Sequence, residues 1–411
     1  MSKNIVLCLD GTWNGPDNKD KAGNVTPTNV QKLFEALSGS GPLAAGDDEK
    51  EFPPPAATPP AGAPTPAGPA QIGKYIHGVG ASGNVLAHAV EGAVGLGLVA
   101  RVVRGYTYLS RVYEPGDSVF ILGFSRGAYT ARSLAGFVTR QGLLDWKAMQ
   151  LVAGSEESYS AGLAAWQQYK KAIFQNKGNL LQQLAQVVSS LHDRFDLGLH
   201  PSPKLQFVGN VGITAVGVWD TVGALGIPDI EEKDGSAVRV DVFQFCDAIL
   251  NSKVAHGFHA VAIDEQRVDF TPTLWEARDG VVQVLFPGAH ADIGGGYTLA
   301  ESGLSNAGLA WMARQVASAG ALFDKMPAGD ANAVAIQHQP WAEGTLKMKT
   351  GPRQFPPGLR LSQRVLQRLA GGKVPVQLGA ADGVLYRPRN LVNSYLMLDW
   401  SGAAPHVVIE P

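Results

Sequence analysis

Cysteine is almost absent from this chain: Cys8 and Cys246 are the only two in 411 residues. Both stand in apolar surroundings and match no metal-ligand spacing, so they argue for neither a disulfide scaffold nor a cysteine metal site and read as small buried hydrophobes. An excess of either charge is also lacking. With 34 basic and 36 acidic side chains the net charge is −2, which gives no general pull on nucleic acid or on an anionic membrane. Long apolar runs are missing as well. The stretch opening at Ile5 lasts six residues with Asp10 inside it, too short for a signal peptide. The reading is synthesis in the cytoplasm, with any export by a signal-independent route. The most membrane-like segment, Val85 to Val103, holds His88, Glu91, Arg101 and several glycines, and reads as a buried helix rather than a span. There is no internal repeat.

What the chain has is ample apolar material, 45% of its residues, enough for a sizeable core in a globular fold. Its most telling stretch is Asp117 to Arg132, where a short apolar run ends in Gly123-Phe-Ser-Arg-Gly127 and passes directly into a helix-compatible segment. A serine alcohol is a poor nucleophile and needs a sharp strand-to-helix turn that frees it from its own backbone, with a histidine beside it to take its proton. Ser125 is the candidate. The glycines on either side remove side chains that would collide across such a turn, and the following helix aims its N–H groups at a developing oxyanion.

Two further apolar runs end in chemistry. Val211 to Asp220 has a buried-strand pattern that stops at an aspartate, where an acid must stand to orient a histidine. Val281 to Phe286 leads into the glycine-rich loop Pro287 to Tyr297, which bears His290. The order Ser125, Asp220, His290, each after a predicted strand, is the order of α/β-hydrolases. Near the amino terminus Asn4 to Asp10 reads as a central parallel strand, and the loop Asp10-Gly-Thr12 can supply an oxyanion N–H from Gly11 or Thr12 beside that of Arg126. Asp10 and Asp292 are read as supporting neighbours of the reacting groups. A rival in another reaction class uses Asp10, His290 and Asp292 as metal ligands of a phosphoesterase; a third reading is a silent binding module that keeps the fold. A phosphatase of the aspartyl-phosphate type is disfavoured because Cys8 stands where its nucleophile belongs.

The remaining chain reads as follows. Thr28 to Leu37 is a helix capped by Thr28 or Asn29. Phe52 to Ala70 carries eight of the 26 prolines, and a mobile Pro/Ala-rich loop is expected over about 42–71. Tyr75 to Gly80 restores a strand, with His77 a structural histidine. Residues 147–200 form a helical insertion, either a cap over the site or packing on the sheet's outside. A helix through Phe258 is expected to carry His256 and His259, and Asp264-Glu-Gln-Arg267 is read as a charged turn with a surface ion-pair network. Leu304 to Val316 and Ser362 to Leu369 are predicted helices, and Leu391 to Leu398 a closing strand. After Ala321 no chemistry is apparent. The whole reads as one α/β-hydrolase-like domain over 1–411, a doubly wound, mainly parallel sheet with helical insertions.

Taken together, Leu9-Asp-Gly-Thr-Trp-Asn14, Tyr75-Ile-His-Gly-Val-Gly80, the Gly123 to Arg132 elbow, Val218-Trp-Asp-Thr-Val-Gly223, Ala262-Ile-Asp-Glu-Gln-Arg267 and Phe286 to Tyr297 resemble an α/β-hydrolase family of bacteria and fungi. It includes the GxSxG phospholipase effectors of type VI secretion. The resemblance covers about residues 3 to 313. It implies Ser125 as nucleophile, Asp220 as acid and His290 as base, no cofactor, and hydrolysis of acyl esters, in some members those of phospholipids at a target membrane. It also implies delivery out of the cell, with a secretion-apparatus or immunity protein as partner.

Overall fold

The computed structural model describes residues 2–11, 14–53, 70–78, 92–174, 204–222, 230–231, 237–238, 249–327, 329–342, 348–379, 382–392 and 408–411. Its frame is a nine-stranded sheet built from strands β1 (Asn4–Leu9), β2 (Glu49–Phe52), β3 (Gln71–Ile76), β4 (Ser118–Phe124), β5 (Ile213–Trp219), β6 (Val254–Ala262), β7 (Val281–Phe286), β8 (Arg360–Ser362) and β9 (Ile409–Glu410). Their spatial order is β9-β8-β7-β6-β5-β4-β1-β3-β2. Every pairing is parallel except the edge pair β2 with β3. Strands β1, β4 and β5 are continuous apolar runs because a parallel sheet covered by helices buries both faces.

Among the described residues the α-helices are α1 (Asn29–Ala36), α2 (Gly92–Val112), α3 (Arg126–Gln141), α4 (Glu156–Ile173), α5 (His290–Gly294), α6 (Gly303–Ser318), α7 (Gln363–Ala370) and α8 (Arg389–Val392). One buried cluster joins α2, α3 and α4 to one face of the sheet, through residues such as Tyr106, Phe137 and Trp166. A second joins α1 and α6, the latter through Trp311, to strand residues such as Phe120 and Trp219. The fold is therefore the expected α/β architecture with helices on both faces.

Several expectations need correcting. His256 and His259 lie on strand β6, not on a helix; the run is nine residues long and sits between two parallel neighbours, a length that suits a strand. The segment expected to be loop from 42 includes β2, which pairs with β3 and so orders residues up to Phe52; residues 54–69 lie outside those described. The helix read over Val85 to Val103 is described from Gly92 onward and runs on to Val112. Of the helical insertion, α4 is described and packs against α2 and α3 in the first cluster, whereas 175–203 lie outside the described residues. Leu391 belongs to α8, not to a strand, and 393–407 are likewise outside. Among the described residues no helix is long and apolar enough to cross a membrane.

Candidate active site

Neighbouring strands β4, β5, β6 and β7 run parallel, so the residues that follow them gather at one edge of the sheet, the edge where open α/β sheets bind ligands. At the end of β4 the chain turns into α3 through Ser125, whose φ of 57° and ψ of −122° are a left-handed-side conformation rare for a non-glycine residue. The surroundings over-determine it. The Ser125 N–H donates to the Trp219 carbonyl at 3.1 Å. A Cβ on Gly123 would stand 2.4 Å from the Gly127 carbonyl oxygen, and one on Gly127 would stand 2.2 Å from that of Leu9. The two glycines of the motif are there because backbone passes where a side chain would be.

Asp220 follows β5 with a φ of 38°, and His290 follows β7 as the first residue of α5. The three side chains meet. His290 Nε2 lies 2.8 Å from Ser125 Oγ, and His290 Nδ1 lies 2.6 Å from Asp220 Oδ2. All three are buried. The imidazole is held between two rings, Phe124 at 4.7 Å and Phe270 edge-on at 4.9 Å between centroids. Burial depresses the His290 pKa below the ordinary histidine range, with Asp220 opposing it. Burial alone would raise that of Asp220, but Arg353 and His290 hold it far below the usual carboxylate range. The arrangement therefore presents a neutral imidazole between an alcohol and an ionised carboxylate, which is what proton transfer from the alcohol requires.

The loop after β1 abuts this group: a Cβ on Gly11 would lie 3.3 Å from Ser125 Cβ. Its details depart from expectation. The Gly11 N–H donates to Asp10 Oδ1 at 2.7 Å, so it is committed to its own neighbour, and Thr12 lies outside the described residues. Asp10 Oδ2 accepts from the Thr28 and Tyr75 hydroxyls at 2.8 and 2.7 Å. Burial raises the Asp10 pKa to about 6 even so. Asp10 thus anchors the loop from below. Asp292 faces elsewhere too, accepting from the Ala289 N–H at 2.9 Å and standing 2.7 Å from His338 Nδ1. The metal-site rival needed Asp10, His290 and Asp292 to converge; among the described residues no group of three potential ligands gathers.

The segment Asp264 to Arg267 is no surface ion-pair network, because later parts of the chain cover it. Asp264 accepts from the Gly288 N–H at 2.7 Å and the Tyr386 hydroxyl at 2.8 Å, tying the end of β6 to the loop that carries His290. Glu265 binds Arg267 through both oxygens, at 2.9 and 2.8 Å, and accepts from the His290 N–H at 3.3 Å. His259, outside the Ser125–His290–Asp220 cluster, accepts from the Thr221 N–H at 3.1 Å just past Asp220. His77 is buried near Arg101 and Asp48, away from this group.

Over residues 3–315 the sequence matches the family model described as the type VI secretion phospholipase effector Tle1-like catalytic domain. The chain belongs to this family. A curated relative is an uncharacterised protein of Saccharomyces cerevisiae, 27% identical over 281 residues, which are 65% of this chain and 32% of the relative. Two solved structures are similar at 16% identity. One is an uncharacterised protein from Pseudomonas aeruginosa, with a TM-score of 0.38 over 78% of this chain and 46% of that one. The other is the Tle1 effector bound to the VgrG spike, with a TM-score of 0.34 over 74% of this chain and 52% of that one. The chain spans about a third of its curated relative's length and about half of the solved ones.

This Tle1-like chain also places beside Asp220 a residue that lies beyond the family match. Arg353 donates from Nη1 to Asp220 Oδ1 at 2.7 Å and from Nη2 to Asp220 Oδ2 at 2.9 Å. Sequence reasoning found no chemistry after Ala321. The missed signal was an arginine in a segment without periodicity, and only the fold brings it to the acid.

Proposed function

We propose that this Tle1-like chain is a serine hydrolase that cleaves acyl esters by nucleophilic attack from Ser125. The observation that carries this reading is the unbroken hydrogen-bond chain from Ser125 Oγ through His290 to Asp220, set at the carboxyl ends of parallel strands. His290 Nε2 takes the Ser125 proton as Oγ attacks the ester carbonyl carbon; Asp220 keeps the proton-bearing Nδ1 turned away and stabilises the imidazolium that forms. The tetrahedral oxyanion is held by the Arg126 N–H at the start of α3, where the helix dipole favours negative charge. Collapse expels the alcohol, which takes the proton from His290. Water, deprotonated by His290 in turn, then releases the acid and regenerates Ser125.

The family description supports a phospholipid acyl ester as substrate and delivery by type VI secretion as the biological setting, with a component of that apparatus as partner. A lipid hydrolysis panel with mass spectrometry of the products tests the reading. Fatty acid release by the wild-type chain, reduced at least ~1,000-fold in Ser125→Ala, is expected from removal of the nucleophile; equal release by both proteins contradicts it. A chain that turns over no ester and captures a protein partner would be the silent binding module instead.

A further inference from the structure

We propose that Arg353 is a positioning residue for this site: its guanidinium fork fixes the Asp220 carboxylate and offsets its charge, so that Asp220 orients His290 without strongly favouring the imidazolium. The proposal takes the hydrolase reading as its setting. Both carboxylate oxygens of Asp220 are fully engaged. Oδ1 accepts from Arg353 Nη1 and from the Ala262 N–H at 2.9 Å; Oδ2 accepts from Arg353 Nη2 and faces His290 Nδ1. The fork is itself aimed, since Nη1 donates to the Ala262 carbonyl at 2.7 Å and Nη2 to that of Phe270. Its backbone is pinned as well: the Arg353 N–H donates to Asn390 Oδ1 at 3.1 Å, and Asn390 Nδ2 donates to the Ile263 and Glu265 carbonyls. Arg353, Asp220 and Asn390 are all buried.

A planar five-donor head gives what a lysine cannot, two parallel bonds that fix the carboxylate's plane as well as its place. The plane matters because His290 Nδ1 meets only one of the two oxygens. Charge matters too. A lone buried carboxylate favours imidazolium strongly, whereas an Arg–carboxylate pair is formally neutral and favours it less, which keeps His290 a free base at lower pH. Other charged groups around His290 are Glu265 on its backbone N–H and Arg267, whose guanidinium stacks 3.4 Å over the Phe270 ring that edges His290. Asp292, on the same short helix, faces His338. On the Asp220 side stand His259, at the Thr221 N–H, and Arg132, which donates to the Thr273 carbonyl.

The test is the imidazole titration of His290, followed by NMR of histidine-labelled protein and assigned with His290→Gln, in wild type, Arg353→Met and Arg353→Lys. Removal of the positive charge in Arg353→Met is expected to raise the His290 midpoint by about one pH unit, with the charge-keeping lysine close to wild type. Loss of the fork is expected to lower kcat about 100-fold in both variants, with KM little changed. An unmoved midpoint in Arg353→Met overturns the proposal, since a residue that only ties the loops together would destabilise without moving it. Should Arg353→Met fail to fold, Arg353→Lys decides, and wild-type kcat in that variant overturns the proposal. A wild-type chain without Ser125-dependent turnover removes the hydrolase reading, while the NMR midpoint still judges Arg353.

Discussion

Around Asp220 four donors converge on two oxygens, and this explains how a carboxylate with no exposed surface stays ionised. In the proposed mechanism its role is directional, so Asp220→Asn, which keeps the size and loses the acceptor facing Nδ1–H, is expected to lower kcat by about four orders of magnitude while leaving KM nearly unchanged. Steady-state kinetics on a soluble ester check this; a loss under tenfold would remove Asp220 from the mechanism. In the proposed mechanism the pH profile follows from His290. Burial lowers its pKa, and the base must be neutral to accept the proton, so kcat/KM should be flat through neutrality and fall on acidification. The falling limb is expected below the ordinary histidine value of about 6.5; a limb above 7 contradicts it. Ser125, Asp220 and His290, which the structure brings together, could be picked out in the sequence because each follows an apolar run, where a parallel sheet delivers its loops. Arg353 could not, since its chemistry arises from contacts across the fold and no local pattern marks it; Glu265 stood within the Asp264-Glu-Gln-Arg267 turn, but its contact with the His290 N–H is made only by the fold.

The elements add their own constraints. The elbow between β4 and α3 works because Gly127 lies against the β1 backbone, so Gly127→Ala is expected to cost about 1–3 kcal/mol or more through overpacking. Gly209→Ala, where a Cβ meets nothing within 4 Å, should stay within about 0.5 kcal/mol of wild type. Urea unfolding of the two variants compares them directly, and equal midpoints would show that the elbow tolerates a side chain. His259 on β6 illustrates the limit of reading by pattern. Its apolar neighbours fit a helix as well as a strand over so short a run, and only pairing with β5 and β7 settles it. Burial pushes its pKa down to about 3, so it remains a neutral acceptor for the Thr221 N–H across working pH. His259→Leu orphans that buried N–H and is expected to cost about 1–3 kcal/mol, read in the same unfolding experiment.

Over the whole molecule, the segment past the family match takes part in the core. Phe355, Leu359, Leu361, Val365, Val374, Tyr386 and Leu391 form one buried cluster with Val261, Ile263 and Leu285 at the ends of β6 and β7. The same segment brings Arg353 and Asn390 to the site. A chain ended after residue 320 is therefore expected to melt lower and to lose ester turnover at least ~100-fold, as calorimetry and a rate assay would record. Sequence reading caught the architecture because the amino-terminal two-thirds alternates apolar runs with turns. It found little in the last third, where proline- and glycine-rich connections are held by partners distant in sequence. The central claim is that Ser125 becomes nucleophilic only through His290. Fluorophosphonate labelling with peptide mapping tests it most directly. The account predicts stoichiometric modification at Ser125 in the wild-type chain and none in His290→Ala. Modification elsewhere, or equally fast labelling of Ser125 without His290, would contradict it.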